Sequence, residues 1–175
     1  MKYCSECAAP LSFRIPEGDH LPRAVCDACG SIHYENPKIV AGAIVESEGR
    51  VLLCRRAIAP RRGFWTAPAG FMENHETTAD AAIRETWEEA GARIQLGPLF
   101  SLVDLPRISQ VHLFFLATLL GTHFAAGPES LEVRLFAEEE IPWDEVVFRS
   151  TQHTLRRYFD DRRRGQFGMH TFALD

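Results

Sequence analysis

The stretch "GFMENHETTADAAIRETWEEAGA", Gly70 to Ala92, carries six acidic residues, three of which, Glu85, Glu88 and Glu89, fall within five positions. Its ends predict a helix over Thr78–Ala90. Thr77 is an N-cap residue type with an acidic residue, Asp80, three positions on. Gly91 stands where a glycine ends a helix. Residues three and four apart share a helix face, so the three glutamates line up. Glu85 and Glu89 then repel by a few tenths of a kcal/mol. A hard divalent cation offsets that repulsion; Mg²⁺ takes oxygen ligands, accepts one or two carboxylates, and fills its remaining positions with water and substrate phosphates. Arg84 lies four residues from both Asp80 and Glu88, pairs that partly fix it. Ala79, Ile83, Thr86 and Ala90 line another face suited to packing on a sheet. Taken alone, the helix also reads as an ordinary solvated acidic helix.

The spacing around it decides between the two. Gly70, five residues, Glu76, seven residues, then "RETWEEAGA" reproduces the pattern G-x5-E-x7-R-E-U-x-E-E-x-G-U, where U is a bulky apolar residue. Gly70, Glu76, Arg84, Glu85, Glu88, Glu89 and Gly91 all match; Thr86 and Ala92 are smaller than the usual U residues. The chain thus resembles the Nudix hydrolases. The resemblance implies a loop–helix–loop holding Mg²⁺ or Mn²⁺ and hydrolysis of a pyrophosphate that links a nucleoside to another group. Carried over by position, Glu85 and Glu89 are metal ligands with Glu88 a third, Arg84 orients these carboxylates, Glu76 braces the motif, and the backbone carbonyl of Ala69 is a further ligand. The chemistry suits the residues: a pyrophosphate repels nucleophiles, and metal ions neutralise its charge and lower the pKa of a bound water, whose proton a carboxylate takes. Relatives draw that base from the motif or from a later loop. Glu132, in "PESLEVRLF", is the expected later carboxylate, with Glu129 the alternative.

On either side of this motif the chain alternates strands and helices. "KIVAGAIVE" (Lys38–Glu46) reads as a buried strand and "VLLCRR" (Val51–Arg56) as its antiparallel partner. "APRRGFWTAPAG" reads as loop. "ARIQLGPLFSLVDLP", "QVHLFFLATLL" and "EVRLF" predict further strands, and Phe148–Gly165 a C-terminal helix. Strands with few helices, mostly in hairpins, indicate an α/β class; the resemblance makes it a Nudix α/β/α sandwich with a mixed sheet.

Residues 1–35 differ in texture. They hold four of the five cysteines, as Cys4-x2-Cys7 and Cys26-x2-Cys29. Two tight thiolate pairs suit tetrahedral Zn²⁺, and the spacing is that of a zinc ribbon. Closed Cys₄ coordination leaves no open catalytic position, so this zinc is structural. A module below about 40 residues needs such a staple. Pro37 disfavours helix at Asn36 and marks the boundary, giving a zinc ribbon over 1–35 and a hydrolase domain over 36–175. Cys54, on a predicted strand, reads as a small buried apolar residue.

Composition limits the partners. The chain has 175 residues, a net charge of −5 and 46% apolar residues, enough for a core. Mild acidity argues against broad nucleic-acid binding, and residues 1–35 offer only Lys2, Arg14 and Arg23 as cations. "MKYCSECAAPL" has no apolar core of a secretory signal. "VHLFFLATLL" is too short to span a bilayer. The expectation is a soluble, cytoplasmic protein with a small nucleotide substrate and no membrane partner.

Among zinc-ribbon relatives, NADH pyrophosphatases carry an SQPWPFPxS-like motif after the box; "ISQVHLFFLA" keeps only Ser109 and Gln110 of it. A nearer resemblance, through "ENPKIVAGAIVE", "GFWTAPAGFME", "DLPRISQ" and "GPESLEVRLF", is to plant chloroplast Nudix pyrophosphatases and their bacterial relatives. That likeness implies cleavage of FAD to FMN and AMP, or of ADP-ribose to AMP and ribose 5-phosphate, by a homodimer. NADH pyrophosphatase, RNA-cap hydrolase and ligand-sensing regulator are the alternatives; the complete set of box carboxylates favours an enzyme. Phe64, Trp65 and Phe71 border the box as stacking residues, and Arg55, Arg56, Arg61 and Arg62 are cations for phosphate. Of Phe114 and Phe115, one must face the core.

Overall fold

The computed structural model describes all 175 residues, Met1–Asp175, which form two compact units, Met1–Asn36 and Pro37–Asp175. The first is a three-stranded antiparallel sheet, β1 (Leu11–Arg14), β2 (Arg23–Cys26) and β3 (Ile32–His33), in that order. Two matching cysteine turns flank it. In one, Ala8 N–H donates to Cys4 O (2.9 Å) and Cys4 N–H to Ala9 O (2.9 Å); in the other, Gly30 N–H donates to Cys26 O (2.8 Å) and Cys26 N–H to Ser31 O (2.9 Å). Both turns need a left-handed residue after the second cysteine: Gly30 at φ +76°, and Ala8 at φ +59°, where a Cβ costs about 1–2 kcal/mol.

The second unit is a mixed sheet between two helices. Its strands are β4 (Lys38–Ser47), β5 (Arg50–Arg56), β6 (Trp65–Thr66), β7 (Ala69–Phe71), β8 (Ile94–Leu105), β9 (Gln110–Leu119), β10 (Ser130–Phe136) and β11 (His170–Ala173). The main order is β10-β5-β4-β9-β8-β11, with β6 on β5 and β7 on β4. Strand alternation splits the core. Ile44, Leu53 and Phe114 face α2 (Arg149–Arg164) and pack with its Leu155, Tyr158 and Phe159. Their neighbours Ala43, Val45, Leu52, Cys54 and Ala117 face the other way, joining Ala90 at the end of α1 (Thr78–Ala90). Small residues, Ala41, Ala81 and Ala82, form the contact between α1 and the sheet. Of the two adjacent phenylalanines, Phe114 is buried and Phe115 is half-buried. No helix is long and apolar enough to cross a membrane.

Several local readings change. The expected loop before the box contains β6 and β7, short pieces whose Pro- and Gly-rich sequence hides them. The β4–β5 hairpin pairs only at Glu46↔Val51 and Ser47↔Arg50. Beyond that, β4 runs parallel to β9 along its length, Lys38↔Gln110 through Glu46↔Thr118. Strand β11, unpredicted, joins β8 in parallel. Ile83, expected inward, is exposed; the buried side of α1 is Ala81, Ala82, Thr86, Glu89 and Ala90. With alanines against the sheet, the helix turns its glutamates toward the fold.

Candidate active site

α1 begins with a closed capping box: Thr77 Oγ1 accepts the Asp80 N–H (3.1 Å) and Asp80 Oδ2 accepts the Thr77 N–H (3.2 Å). An Asp, shorter than the usual Glu, still reaches. Gly91, left-handed at φ 56°, ends the helix. Between these caps Arg84 organises the acidic face. Its Nε and Nη2 fork onto both oxygens of Glu76 (3.0 and 2.7 Å). Its Nη1 donates to Glu85 (2.7 Å) and Glu88 (3.0 Å), and Nη2 also to Phe71 O (3.1 Å). Guanidinium has five N–H donors, and here they make five bonds. Arg84 and the Glu73 amide hold the Glu76 carboxyl down at about 2.

The remaining two carboxylates lie deeper. Glu85 rests against Gly70, where a Cβ would stand 2.3 Å from all three carboxylate atoms. That contact is the physical requirement behind the box glycine. Glu89 is buried, and its Oε2 accepts the Ala69 N–H at 3.1 Å. Burial pushes the Glu89 carboxyl up to about 8, with Glu85 and Glu129 adding to the rise while the Ala69 amide and Arg56 oppose it. Burial also raises Glu85. Buried carboxyls with raised affinity for protons are chemically suited to a divalent cation in the protons' place.

These side chains form one wall of a cleft of about 1470 Å³. Glu129 joins them there, while Glu132 does not line the cleft. A bulge at Leu131 separates the pairs Ser130↔Arg56 and Glu132↔Arg55, and Glu132 stands opposite Arg55 (3.8 Å), both about half exposed. Of the two later carboxylates weighed from the sequence, Glu129 lines the cleft and Glu132, the first choice, does not.

The rest of the cleft lining comes partly from the motif itself, through Phe71 and Trp87, and partly from elements outside it. Phe71, Trp87 and Phe148 supply aromatic surface, and Arg56 stacks over Phe148 at 5.2 Å with its Nε bonded to Pro60 O (2.9 Å). Gln110 and His112 from β9 meet Ser150 at the start of α2: His112 Nδ1 lies 3.0 Å from Ser150 Oγ and Nε2 lies 2.9 Å from Gln110 Oε1. Burial pushes the His112 imidazole down to about 4, so it is neutral at physiological pH. Of the aromatics expected at the site, Phe71 lines the cleft; Trp65 is in the core, and Phe64 does not line it. Of the four arginines, Arg56 and Arg61 line it; Arg55 and Arg62 do not. Only the β4–β9 register, which sets His112 beside Val40, brings the polar row to the box.

A family model described as NUDIX domain matches residues 36–159, and one described as Nudix N-terminal, a zinc ribbon, matches residues 2–35. The chain belongs to the Nudix hydrolase family. A NUDIX hydrolase from Nitrosomonas europaea shares its structure at a TM-score of 0.97, with 53% identity over 99% of each chain. Among curated proteins, the NAD-capped RNA hydrolase NudC of Chromobacterium violaceum is 37% identical over 95 residues, 54% of this chain and 34% of that one. An ADP-ribose pyrophosphatase of Methanocaldococcus jannaschii is 29% identical over 113 residues, 62% of this chain and 67% of that one. The chain thus spans about a third of the NudC relative and two thirds of the archaeal one. Nudix hydrolases act with a divalent metal ion, and the carboxylate wall is the part of this member suited to one.

In the N-terminal unit of this Nudix hydrolase, the Sγ atoms of Cys4, Cys7, Cys26 and Cys29 all lie within 4.8 Å of one another. Cys4–Cys29 is 3.6 Å and Cys7–Cys26 is 3.4 Å. Zn–S bonds of about 2.3 Å make a tetrahedron with edges of about 3.8 Å, so the four thiols fit zinc. His33 Nε2, 3.3 Å from Cys4 Sγ, is an outer partner of the kind that orients ligands. The box carboxylates do not converge so closely: Arg84 holds Glu85 and Glu88, and Glu89 turns to Ala69.

Proposed function

We propose that this Nudix hydrolase cleaves the pyrophosphate of an adenosine-containing conjugate, FAD to FMN and AMP or ADP-ribose to AMP and ribose 5-phosphate. The observation that carries the reading is one cleft lined by two unlike sets of groups: the carboxylates, and aromatic rings with the Gln110–His112–Ser150 row. Pyrophosphate oxygens belong with the first set, and flat, hydrogen-bonding groups with the second. Glu85, Glu89 and, third, Glu88 would hold Mg²⁺ or Mn²⁺. Ala69 offers its carbonyl on the side to which it turns its N–H, because an extended residue directs both groups the same way. The bound metal would supply charge neutralisation and an activated water. Arg84 fixes the orientation of Glu85 and Glu88, and Glu129, which lines the same cleft, would take the proton from the water. Structural Zn²⁺ in residues 1–35, a hydrolase domain over 36–175, a homodimer and a cytoplasmic setting belong to the same reading.

The curated relatives favour a second reading, hydrolysis of an NAD-capped RNA end, because two of them carry that name. A hydrolysis screen with Mg²⁺ or Mn²⁺ over FAD, ADP-ribose, NADH, NAD, coenzyme A and NAD-capped RNA separates the two. FAD or ADP-ribose is expected to give the highest kcat/KM, with AMP as a product. NADH or capped RNA cleaved at least about tenfold better than both, a difference of about 1.4 kcal/mol, overturns the substrate assignment and leaves the Nudix chemistry standing.

A further inference from the structure

Glu129 lies 40 residues beyond Glu89, at the end of an irregular segment between β9 and β10. Such a segment is ordinarily the mobile part of a fold. Here it is fastened to the helix that carries the box. The Ala125 N–H donates to Ala90 O (2.8 Å) and the Gly127 N–H to Glu89 O (3.1 Å), so two carbonyls left over at the end of α1 are satisfied by this segment. On its other side the Glu129 carbonyl accepts the Ala57 N–H (2.8 Å), next to Arg56. The closest approach is at Gly127. A Cβ there would stand 1.7 Å from Glu88 O and 2.8 Å from Glu88 C. Both are backbone atoms and cannot rotate aside. Gly127 does not have positive φ, so its conformation admits other residues; only the space excludes them.

We infer that Gly127 is a positioning residue: it clamps the segment carrying Glu129 onto the last turn of α1, so that the later carboxylate and the box carboxylates form one rigid unit. This rests on the assignment of Glu129 proposed above. A carbon needs about 3.3 Å from a carbonyl oxygen, so any side chain at Gly127 drives the strap off the helix by more than an ångström. Glu129, two residues on, moves with it. A misplacement of about 1 Å costs up to about 10²-fold in rate.

The test is a double-mutant cycle with Gly127→Ala and Glu129→Gln, read as kcat and KM for ADP-ribose, with amide hydrogen exchange on the same proteins. Gly127→Ala is expected to lower kcat about 10- to 100-fold with little change in KM, and to speed exchange at Ala125 and residue 127. In the Glu129→Gln background it should add less than about twofold, because residues acting through one group are not additive. Glu129→Asp leaves the strap intact and withdraws the carboxylate by about 1.5 Å, one C–C bond; it is expected to lose kcat as Gly127→Ala does. This variant decides the matter even where Gly127→Ala fails to fold. Full activity in Glu129→Gln overturns the Glu129 assignment and the clamp with it. An inactive Glu129→Gln alongside a fully active Gly127→Ala or Glu129→Asp, or with multiplying losses in the double variant, overturns the clamp alone.

Discussion

Glu89 accepts the backbone N–H of Ala69 at 3.1 Å, tying the helix of the Nudix box to the short strand that enters it. The two residues are 20 apart in sequence, and the bond uses one carboxylate oxygen, Oε2. The other oxygen has no protein partner. A buried carboxyl with one fixed oxygen and one free is preorganised: a cation gains a ligand without the cost of ordering a flexible side chain.

Glu89→Gln keeps the size of the side chain and removes its charge. Turnover at saturating Mg²⁺ is expected to fall about 10²- to 10³-fold, as for loss of one preorganised electrostatic group. The unfolding temperature should move by no more than about 4 °C, about 1 kcal/mol for a domain of this size. Near-normal kcat would show that Glu89 is not a ligand.

Gly70→Ala separates activity from stability at the other deep carboxylate. The nearest atoms to the added Cβ are those of the Glu85 carboxylate, the end of a flexible side chain that can rotate aside, so the fold is expected to tolerate it. The displaced carboxylate does not serve: kcat is expected to drop about 10- to 100-fold with an unfolding temperature close to wild type. A fully active Gly70→Ala enzyme would mean that Glu85 need not lie where it does.

One zinc ion per chain is expected in protein purified without chelator, measured by elemental analysis. Cys26→Ser breaks the tetrahedral set and should abolish that zinc and the protection of amides in residues 1–35, because metal binding supplies the folding free energy of so small a unit. Wild-type protein free of zinc yet protected in this region would rule out the structural-metal role.

His112 tests the polar row by pH. Its folded pKa lies below the unfolded value of about 6.5, near 4, because burial disfavours the charged ring. The unfolded chain therefore binds its proton first as pH falls. His112 contributes stability above about pH 6.5 that is lost progressively as pH falls through 4. The gap in unfolding temperature between wild type and His112→Leu should narrow over that window. An NMR titration of the ring with a midpoint above 6 would contradict a buried neutral imidazole.

What could be read from residues alone is what short-range geometry dictates. Spacings of three and four along α1 place Glu85, Glu88 and Arg84 together whatever surrounds the helix, since the periodicity is a property of the backbone. The two Cys-x2-Cys spacings likewise marked the four thiols that the fold gathers within 4.8 Å of one another. The rest depends on which distant segments meet. Ile83 is exposed because the alanine side of α1 packs on β4, a choice that the helix by itself leaves open. Glu129 lines the cleft and Glu132 does not, a difference that depends on how the segment before β10 meets the end of α1 and on the bulge at Leu131 that shifts the β10 register. Gln110, His112 and Ser150 form a row only because β9 lies parallel to β4 and α2 starts beside it. Sequence decides contacts that close within one turn of helix or strand; tertiary packing decides those between segments whose encounter depends on the shape of everything between them.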